Sequence, residues 1–346
     1  MTTVTETRTM FGAVIHAPGD VRYEQRPRPV LLEPTDAILE VTAACVCGSD
    51  LWRYRGISKV DGPTPIGHEL CGVVTEVGSA VTTIKVGDFV VGGFNPSDGT
   101  CPLCLKGATA NCRHGSHYDG AQADVVRIPM ADGTLVATPA APPADLIPSL
   151  LALSDVMCTG WHAAVSAGVG PGSSVAVVGD GAVGLCAILA ARELGATTII
   201  AMSRHEARQR VAREFGATHI VEERDEAGSE RIREVTDGIG ADCVLECVGT
   251  ESARLQSVGS VRDGGNIGIV GVPHGDLPVD QLFWRNVGLK GGPANCRAYL
   301  PHLMDLVWQR KINPGLVFDL ELPLSEIAEA YAAMDERRAI KTLVRP

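Results

Sequence analysis

The stretch Val175-Ala176-Val177-Val178-Gly179-Asp180-Gly181-Ala182-Val183-Gly184 decides the fold of this chain. Its apolar start predicts a buried strand, and the glycine-rich turn after it opens a predicted helix over 182–194. In that context the turn predicts a dinucleotide site, because its glycines let the backbone approach a pyrophosphate and the helix N-terminus meets the negative charge. A glycine-rich turn without a ligand is the alternative. The predicted cofactor-binding residues here are Gly179, Gly181, Ala182, Val183 and Gly184.

Strands and helices alternate in the second half of the chain. Predicted helices at 182–194 and 206–215 lie among predicted strands at 175–178, 198–202, 219–221, 243–246 and 266–270. Repeated βα units predict a parallel, doubly wound sheet.

The residues before Pro143 have a different pattern. Short β-branched runs at 37–41, 72–77 and 88–91 are bounded by Gly and Pro, which predicts an antiparallel β domain. A helix near 300–310 and a closing strand at 342–344 look like a return to that domain. We therefore predict an α/β protein with a discontinuous β-rich domain, residues 1–156 and 295–346, and a Rossmann domain, residues 157–294.

Size and charge exclude several classes of protein. A chain of 346 residues is long enough for two cores, and its net charge of −11 lacks the basic field that nucleic acids and anionic membranes attract. The most apolar stretch, 175–191, is too interrupted by glycine for a membrane span, and residues 1–8 are too polar for a signal peptide. Eleven cysteines without an export signal predict reduced thiols or metal ligands. We expect a cytoplasmic enzyme.

The end of the second predicted strand indicates which dinucleotide binds. An NAD enzyme places an acid roughly 20 residues after the glycines, but this strand ends in Met202-Ser203-Arg204-His205. Ser203 can donate a hydrogen bond to a 2′-phosphate, and Arg204 can bind it bidentately. The sequence therefore predicts NADP(H). Arg208, one helical turn later, is a further candidate, with a solvated helix face as the equal alternative.

Two short motifs predict half of a metal site. Cys47-Gly48-Ser49-Asp50 and Gly67-His68-Glu69 each place a ligand beside a carboxylate. A ligating histidine usually gives its other ring N–H to a carboxylate, so Asp50 is the candidate partner of His68. A catalytic zinc takes three protein ligands and leaves one place open, so a third ligand is required.

A second cluster predicts another zinc site. Cys101, Cys104 and Cys112 lie in a loop rich in Gly and Pro, and Asp98 stands three residues before Cys101 as a candidate fourth ligand. His114 and His117 are rival fourth ligands, and a lobe without metal is the remaining alternative.

Taken in order, these motifs and Thr159-Gly160 resemble the zinc-dependent medium-chain dehydrogenases, the alcohol dehydrogenase superfamily. The resemblance covers essentially the whole chain. It implies a GroES-like catalytic domain interrupted by a Rossmann domain, and dimers or tetramers formed through the Rossmann domain, with residues 281–290 as the candidate edge. Asp155, ahead of Thr159-Gly160, and the stretch 287–292 are similar to bacterial NADP-dependent secondary-alcohol dehydrogenases.

The resemblance also implies roles for single residues. Asp155 would be the third zinc ligand, with Cys158 as its rival. Ser49 would bind the substrate oxygen and start the proton relay, or else cap a turn. Glu69 would be a transient zinc ligand, or a buried carboxylate stabilised by a basic neighbour. Further cofactor contacts would come from Thr159, Val270 and Lys341, and the pocket wall from Trp52, Phe94 and Trp161.

The assignments of Lys341 and of the aromatic residues have plain alternatives. Lys341, which would reach the pyrophosphate, has a surface lysine as its equal rival, and the aromatic residues are as easily core. Leu51-Trp52 replace the relay histidine of the family, and Asp98 stands where its first structural-zinc cysteine would be.

The implied function is that of an alcohol dehydrogenase or carbonyl reductase in which zinc activates the substrate oxygen and hydride passes to or from NADP(H). The substrate would be a small alcohol, ketone or aldehyde. A dehydrogenase for polyols, amino alcohols or aldehyde adducts is one alternative. A nucleotide-binding protein without chemistry is another, but the set Cys47, His68 and Asp155 argues against it, because a pure binder needs no open zinc.

Overall fold

The protein is described by a computed structural model of residues 8–272 and 276–346. The chain divides into two compact units, one of Met1–Asp155 with Cys296–Pro346 and one of Val156–Asn295. The predicted domain boundaries, after residues 156 and 294, each differ from this division by one residue. The polar segment Met1–Thr7, on which the expectation of no signal peptide depends, lies outside the described residues.

The first unit begins with a β-rich region. A three-stranded sheet has the order β2-β1-β4, and a larger sheet is built from antiparallel pairs, β3 with β5, β5 with β6 and β6 with β8, while β7 pairs with β3. The predicted runs at 37–41 and 72–77 lie within strands of this larger sheet, and the run at 88–91 overlaps a strand that begins at Phe89. The elements are β1 Thr9–Ala17, β2 Asp20–Pro27, β3 Ala37–Cys45, α1 Asp50–Tyr54, β4 Thr64–Pro65, β5 Leu70–Val77, β6 Phe89–Gly92, β7 Val125–Ile128, α2 Ala131–Thr134, β8 Leu135–Ala137 and α3 Ile147–Ala152.

The second unit is a parallel sheet with strand order β11-β10-β9-β12-β13-β14. Renumbered within the unit this is 3-2-1-4-5-6, the order of the Rossmann fold, so the predicted doubly wound sheet is confirmed. Its elements are α4 Val156–Ala167, β9 Ser174–Val178, α5 Ala182–Glu193, β10 Thr198–Met202, α6 Glu206–Glu214, β11 His219–Val221, α7 Asp225–Val235, β12 Ala241–Glu246, α8 Glu251–Ser260, β13 Val261–Ile269, α9 Val279–Trp284 and β14 Gly288–Gly291.

Close packing explains why glycine follows Thr159 in α4. A Cβ atom on Gly160 would lie 2.5 Å from the backbone nitrogen of Ala187 in α5. No neighbour can yield there, because the obstructing atom is helix backbone. Gly160 therefore lets α4 and α5 approach each other, which accounts structurally for half of the Thr-Gly motif.

The chain then returns to the first unit through α10 Cys296–Trp308, β15 Leu320–Pro323, α11 Ile327–Asp335 and β16 Thr342–Arg345. Strand β16 pairs antiparallel with β3, Leu343 opposite Cys45 and Val344 opposite Ala44. Residues 296–346 therefore lie in the first unit. Because of this register, Lys341 lies beside the segment that follows β3.

Among the helices of residues 8–272 and 276–346, none is both long enough and apolar enough to cross a membrane.

Candidate active site

The pairing of β3 with β5 brings Cys47 and His68 together. Ala44 and Leu70 are cross-strand partners, so the residues just after Ala44 and just before Leu70 leave the sheet at the same end. Asp155, the last residue of this part of the first unit, joins them. One ligand atom from each of Cys47, His68, Glu69 and Asp155 lies within 4.8 Å of all the others.

The spacing of these atoms suits a tetrahedral zinc ion. Asp155 Oδ2 is 3.4 Å from Cys47 Sγ and 3.5 Å from His68 Nε2. Bonds of about 2.0–2.3 Å to one zinc ion would separate ligand atoms by about 3.3–3.8 Å. Cys47, His68 and Asp155 could therefore hold a zinc ion, while Cys158, the rival to Asp155, is a buried residue of α4 in the second unit.

Asp50 lies beside the imidazole of His68. Its Oδ1 is 3.4 Å from His68 Nδ1, and its Oδ2 accepts hydrogen bonds from the backbone N–H of Cys47 at 3.0 Å and from Gln122 Nε2 at 3.2 Å. Burial opposes a charged imidazole, but Asp50 and Cys47 raise the pKa of His68 well above its usual range. A proton held on Nδ1 leaves Nε2 as the nitrogen that faces Asp155.

Two residues that the sequence did not suggest support Asp50. Tyr331 Oη, from α11, donates to Gln122 Oε1 at 3.1 Å, and Gln122 Nε2 also donates to the carbonyl of Cys45 at 3.0 Å. The side chains of Tyr331, Gln122 and Asp50 are all buried. The chain Tyr331, Gln122, Asp50 fixes the carboxylate beside His68, and no short motif could reveal it because its members come from distant parts of the chain.

Glu69 and Lys341 form a buried ion pair. Lys341 Nζ donates to Glu69 Oε1 at 2.6 Å and to the carbonyl of Val46 at 3.1 Å, and the side chains of Lys341 and Glu69 are 1% and 0% exposed. Burial raises the pKa of Glu69, and the nearby ammonium opposes that shift. Glu69 Oε2, by contrast, has no hydrogen-bond partner among the described residues.

This pair corrects one prediction. Lys341 was expected to reach the pyrophosphate or to be a surface lysine, and both expectations are wrong, since the pairing of β16 with β3 buries its ammonium against Glu69. Of the alternatives for Glu69, the buried carboxylate with a basic neighbour is the one present.

The other candidates near the metal cluster have defined positions. Ser49 is exposed at the start of α1 and makes no capping hydrogen bond with its side chain, so the alternative of a capping serine has no support. The ring of Phe94 lies edge-on to that of His68, with centroids 6.1 Å apart. Trp52 lies half-buried in α1.

The second unit holds the remaining cofactor and pocket candidates. Thr159 and Trp161 are buried in α4, and the backbone N–H of Val270, just after β13, donates to the carbonyl of Glu246 at 2.9 Å. Their predicted roles remain predictions.

The glycine-rich turn has the shape that a pyrophosphate needs. A Cβ atom on Gly184 would lie 1.9 Å from the carbonyl oxygen of Gly179, so only glycine fits there, whereas the Cβ position of Gly181 is open. Helix α5 begins at Ala182, so its first free N–H groups, including that of Val183, lie at this turn. The turn can therefore bind the pyrophosphate of a dinucleotide.

A carboxylate that the sequence did not predict at this place, that of Asp180, contacts the residues just after β10. Ser203 Oγ donates to Asp180 Oδ2 at 2.8 Å, and Arg208 Nη1 donates to Asp180 Oδ1 at 3.1 Å. Arg204 is exposed beside them. One feature of the sequence could have indicated this contact. Asp180 lies inside the glycine turn, next to Gly181, whose Cβ position is open.

The cysteine lobe also gathers four ligand atoms. Those of Asp98, Cys101, Cys104 and Cys112 all lie within 4.8 Å of one another, with the Sγ atoms of Cys101 and Cys104 3.5 Å apart. Backbone N–H groups of Arg113 and Cys104 lower the pKa of Cys101 to about 7, which favours the thiolate that zinc binds.

The two histidines proposed as rivals in this lobe lie outside the ligand cluster. His114 Nδ1 is 2.5 Å from Asp98 Oδ2, so His114 contacts the carboxylate and does not replace it. His117 is an exposed residue, and it is not a member of the cluster. The geometry therefore favours Asp98 as the fourth ligand atom.

Comparison with known proteins agrees with this architecture. The family model described as an alcohol dehydrogenase GroES-like domain matches residues 33–140, and that of a zinc-binding dehydrogenase matches residues 182–309. The zinc-type alcohol dehydrogenase B of Aspergillus flavus is 33% identical over 97% of this chain and 81% of its own length. The chain belongs to the zinc-dependent medium-chain dehydrogenases. The predicted family, with a GroES-like and a Rossmann domain, is thereby confirmed.

Two solved structures extend the comparison within this dehydrogenase family. The alcohol dehydrogenase of Thermus sp. ATN1 has a TM-score of 0.89 and 31% identity, and the match covers 97% of this chain and 99% of that one. A protein of Sinorhizobium meliloti solved with NADP bound has a TM-score of 0.81 and 26% identity, over 98% and 100%.

The buried ion pair gives a first test. Replacing Lys341 with Met should lower the free energy of unfolding of the first unit by about 3–5 kcal/mol, because Glu69 is left as an uncompensated buried charge. Urea denaturation followed by far-UV circular dichroism measures this. The double variant Lys341→Met/Glu69→Gln is the control and should regain most of the loss. A single variant as stable as the unmodified protein would contradict the assignment.

Proposed function

We propose that this dehydrogenase transfers hydride between an alcohol and a ketone or aldehyde, with NADP(H) as cofactor and a catalytic zinc held by Cys47, His68 and Asp155. The observation that carries the proposal is the 3.4–3.5 Å spacing of Asp155 Oδ2 from Cys47 Sγ and His68 Nε2. When bound, zinc supplies the Lewis acidity that polarises the substrate oxygen.

Side chains around the proposed zinc ion balance its charge, orient its ligands and bind the substrate. The Cys47 thiolate and the Asp155 carboxylate balance the charge of a divalent ion, and His68 binds as a neutral imidazole while Asp50 retains its Nδ1 proton. Ser49, exposed at the start of α1, provides the hydroxyl that hydrogen-bonds the substrate oxygen. Lys341 holds Oε1 of Glu69, and Oε2 stays buried without a hydrogen-bond partner among the described residues.

The walls of the substrate pocket are assigned to aromatic side chains. Phe94, edge-on to His68, supports this role, and Trp52 and Trp161 are proposed with it. Thr159 is proposed to contact the nicotinamide. An apolar wall favours an apolar alcohol or ketone over a polyol.

NADP(H) is assigned on the groups at the end of β10. Ser203 and Arg204 are donors there, Arg208 lies within reach of the same place, and the bound NADP of the Sinorhizobium protein supports the choice. The turn from Gly179 to Gly184 and Val270 complete the proposed cofactor site.

A second, structural zinc is proposed in the cysteine lobe. The ligand atoms of Asp98, Cys101, Cys104 and Cys112 support it, because three thiolates and a carboxylate are an acceptable tetrahedral set.

A cytoplasmic location is also proposed. The eleven free cysteines of the described chain suit a reducing compartment.

We further infer a homodimer or homotetramer formed through the edge of the Rossmann sheet. Strand β14 ends the strand order, and in α9 beside it Phe283 and Trp284 are 69% and 80% exposed. Exposed aromatic rings next to the edge strand of a sheet are features of an interface.

The activity can be tested together with the third ligand. A screen of alcohols and ketones, read as the change in NADPH absorbance, should reveal turnover. Asp155→Ala should reduce that turnover at least on the order of a hundredfold and remove one zinc per chain while NADPH still binds, because a metal polarising the oxygen contributes several kcal/mol. Cys158→Ala, the matched control, should retain zinc and activity. Normal turnover by Asp155→Ala would remove it from the ligand set.

The cofactor assignment has its own test. Arg204→Ala should raise the KM for NADPH on the order of tenfold or more and that for NADH by less than about twofold, because only NADPH carries the 2′-phosphate. Arg210→Ala, another exposed arginine of the same segment, is the control. Equal effects on both cofactors would overturn the assignment.

The assembly can be measured by light scattering after size exclusion. The mass should be two or four times the 36.3 kDa of one chain, and Trp284→Glu should shift it toward the monomer, because a buried charge at the edge is costly. Leu32→Glu, at a site of 66% exposure in the first unit, should leave the assembly intact. A monomeric unmodified protein would refute the interface.

A further inference from the structure

The carboxylate of Asp180 occupies the donors that the proposed function assigns to the cofactor. Ser203 Oγ donates to one carboxylate oxygen at 2.8 Å and Arg208 Nη1 to the other at 3.1 Å. Arg208 Nη1 also lies 3.3 Å from the carbonyl of Asp180. Ser203 and Arg208 are two of the three side chains proposed to bind the 2′-phosphate.

Two further arginines lie at the end of β10. Arg204 is exposed beside Ser203, and Arg224 reaches the end of β10, where its Nη2 is 3.5 Å from the carbonyl of Met202. Burial lowers the pKa of Arg224, and so does the charge of Arg204, whereas Asp180 opposes the shift. Asp180 therefore pairs directly with Arg208, while Arg204 and Arg224 are two further cations at the end of β10.

The position of Asp180 resembles that of an acid the sequence lacks. In NAD-binding Rossmann domains a carboxylate at the end of the second strand accepts hydrogen bonds from the ribose hydroxyls. Here β10 is that strand, and it ends without an acid. The carboxylate of Asp180, which belongs to the glycine turn, instead contacts Ser203 just after β10. A 2′-phosphate and this carboxylate would compete for the same donors and repel each other.

Resting on the proposed use of NADP(H), we propose that Asp180 is the residue that limits discrimination between NADP(H) and NAD(H). With NADP(H), the 2′-phosphate must displace the carboxylate from Ser203 and Arg208. With NAD(H), the carboxylate stays and can accept a ribose hydroxyl. Removing its charge while keeping its size therefore shifts the preference toward the phosphorylated cofactor.

Binding of two cofactor fragments tests this without activity or metal. Isothermal titration calorimetry would compare adenosine 2′,5′-bisphosphate with 5′-AMP on the unmodified protein and on Asp180→Asn. The variant should bind the bisphosphate on the order of tenfold more tightly, because a repulsive charge is gone and two donors are released, and should not bind 5′-AMP more tightly. Asp180→Ala should shift the ratio in the same direction. Glu230→Gln, which removes an exposed carboxylate of α7, should leave both affinities unchanged.

The outcomes separate this inference from the proposed function. The role of Asp180 is refuted if neither Asp180 variant raises the affinity for the bisphosphate relative to 5′-AMP. It is also refuted if the affinities for the two fragments change by the same factor. If the unmodified protein prefers 5′-AMP but the variants shift toward the bisphosphate, Asp180 is the discriminating residue and the assignment of NADP(H) fails. If the unmodified protein prefers the bisphosphate and the variants sharpen that preference, both stand.

Discussion

Strand β3 is the constraint on which the candidate metal centre depends. It pairs on one side with β5 and on the other with β16, so three segments far apart in sequence meet at one end of the sheet. Cys47 follows β3, His68 and Glu69 precede β5, and Lys341 precedes β16. Hydrogen-bonded register, and not local sequence, therefore decides which charged groups face each other in the first unit.

Charge balance is the second requirement of this centre. The carboxylates of Asp50, Glu69 and Asp155 are buried together with the thiol of Cys47, and His68, Lys341 and Arg53 are the cations beside them. Burial, together with Asp155, raises the pKa of Cys47 to about 11, so its thiol holds a proton unless a cation takes the place of that proton. A divalent ion bound by Cys47, His68 and Asp155 would therefore release that proton, because zinc binds the thiolate.

The sequence predicted the elements that local patterns control. The doubly wound sheet follows from apolar strands alternating with helices, and β10 and β11 have the predicted bounds because each is a short apolar run between turn residues. Cys47 and His68 could be chosen because each sits in a short motif. Lys341 was assigned wrongly because its burial depends on a strand pairing across almost the whole chain, and Gln122 and Tyr331 were missed for the same reason. The position of Asp180 could not be predicted in the same way, because the acid of an NAD enzyme follows the second strand, whereas this carboxylate reaches that place from the glycine turn.

The zinc ion itself provides the most direct test of the central claim. Crystals of the zinc-loaded protein measured at the zinc absorption edge should show an anomalous peak about 2.0–2.3 Å from Cys47 Sγ, His68 Nε2 and a carboxylate oxygen of Asp155, with a fourth position open to substrate. A peak that excludes Asp155, or the absence of a peak beside Cys47 and His68 in zinc-loaded protein, would contradict the account.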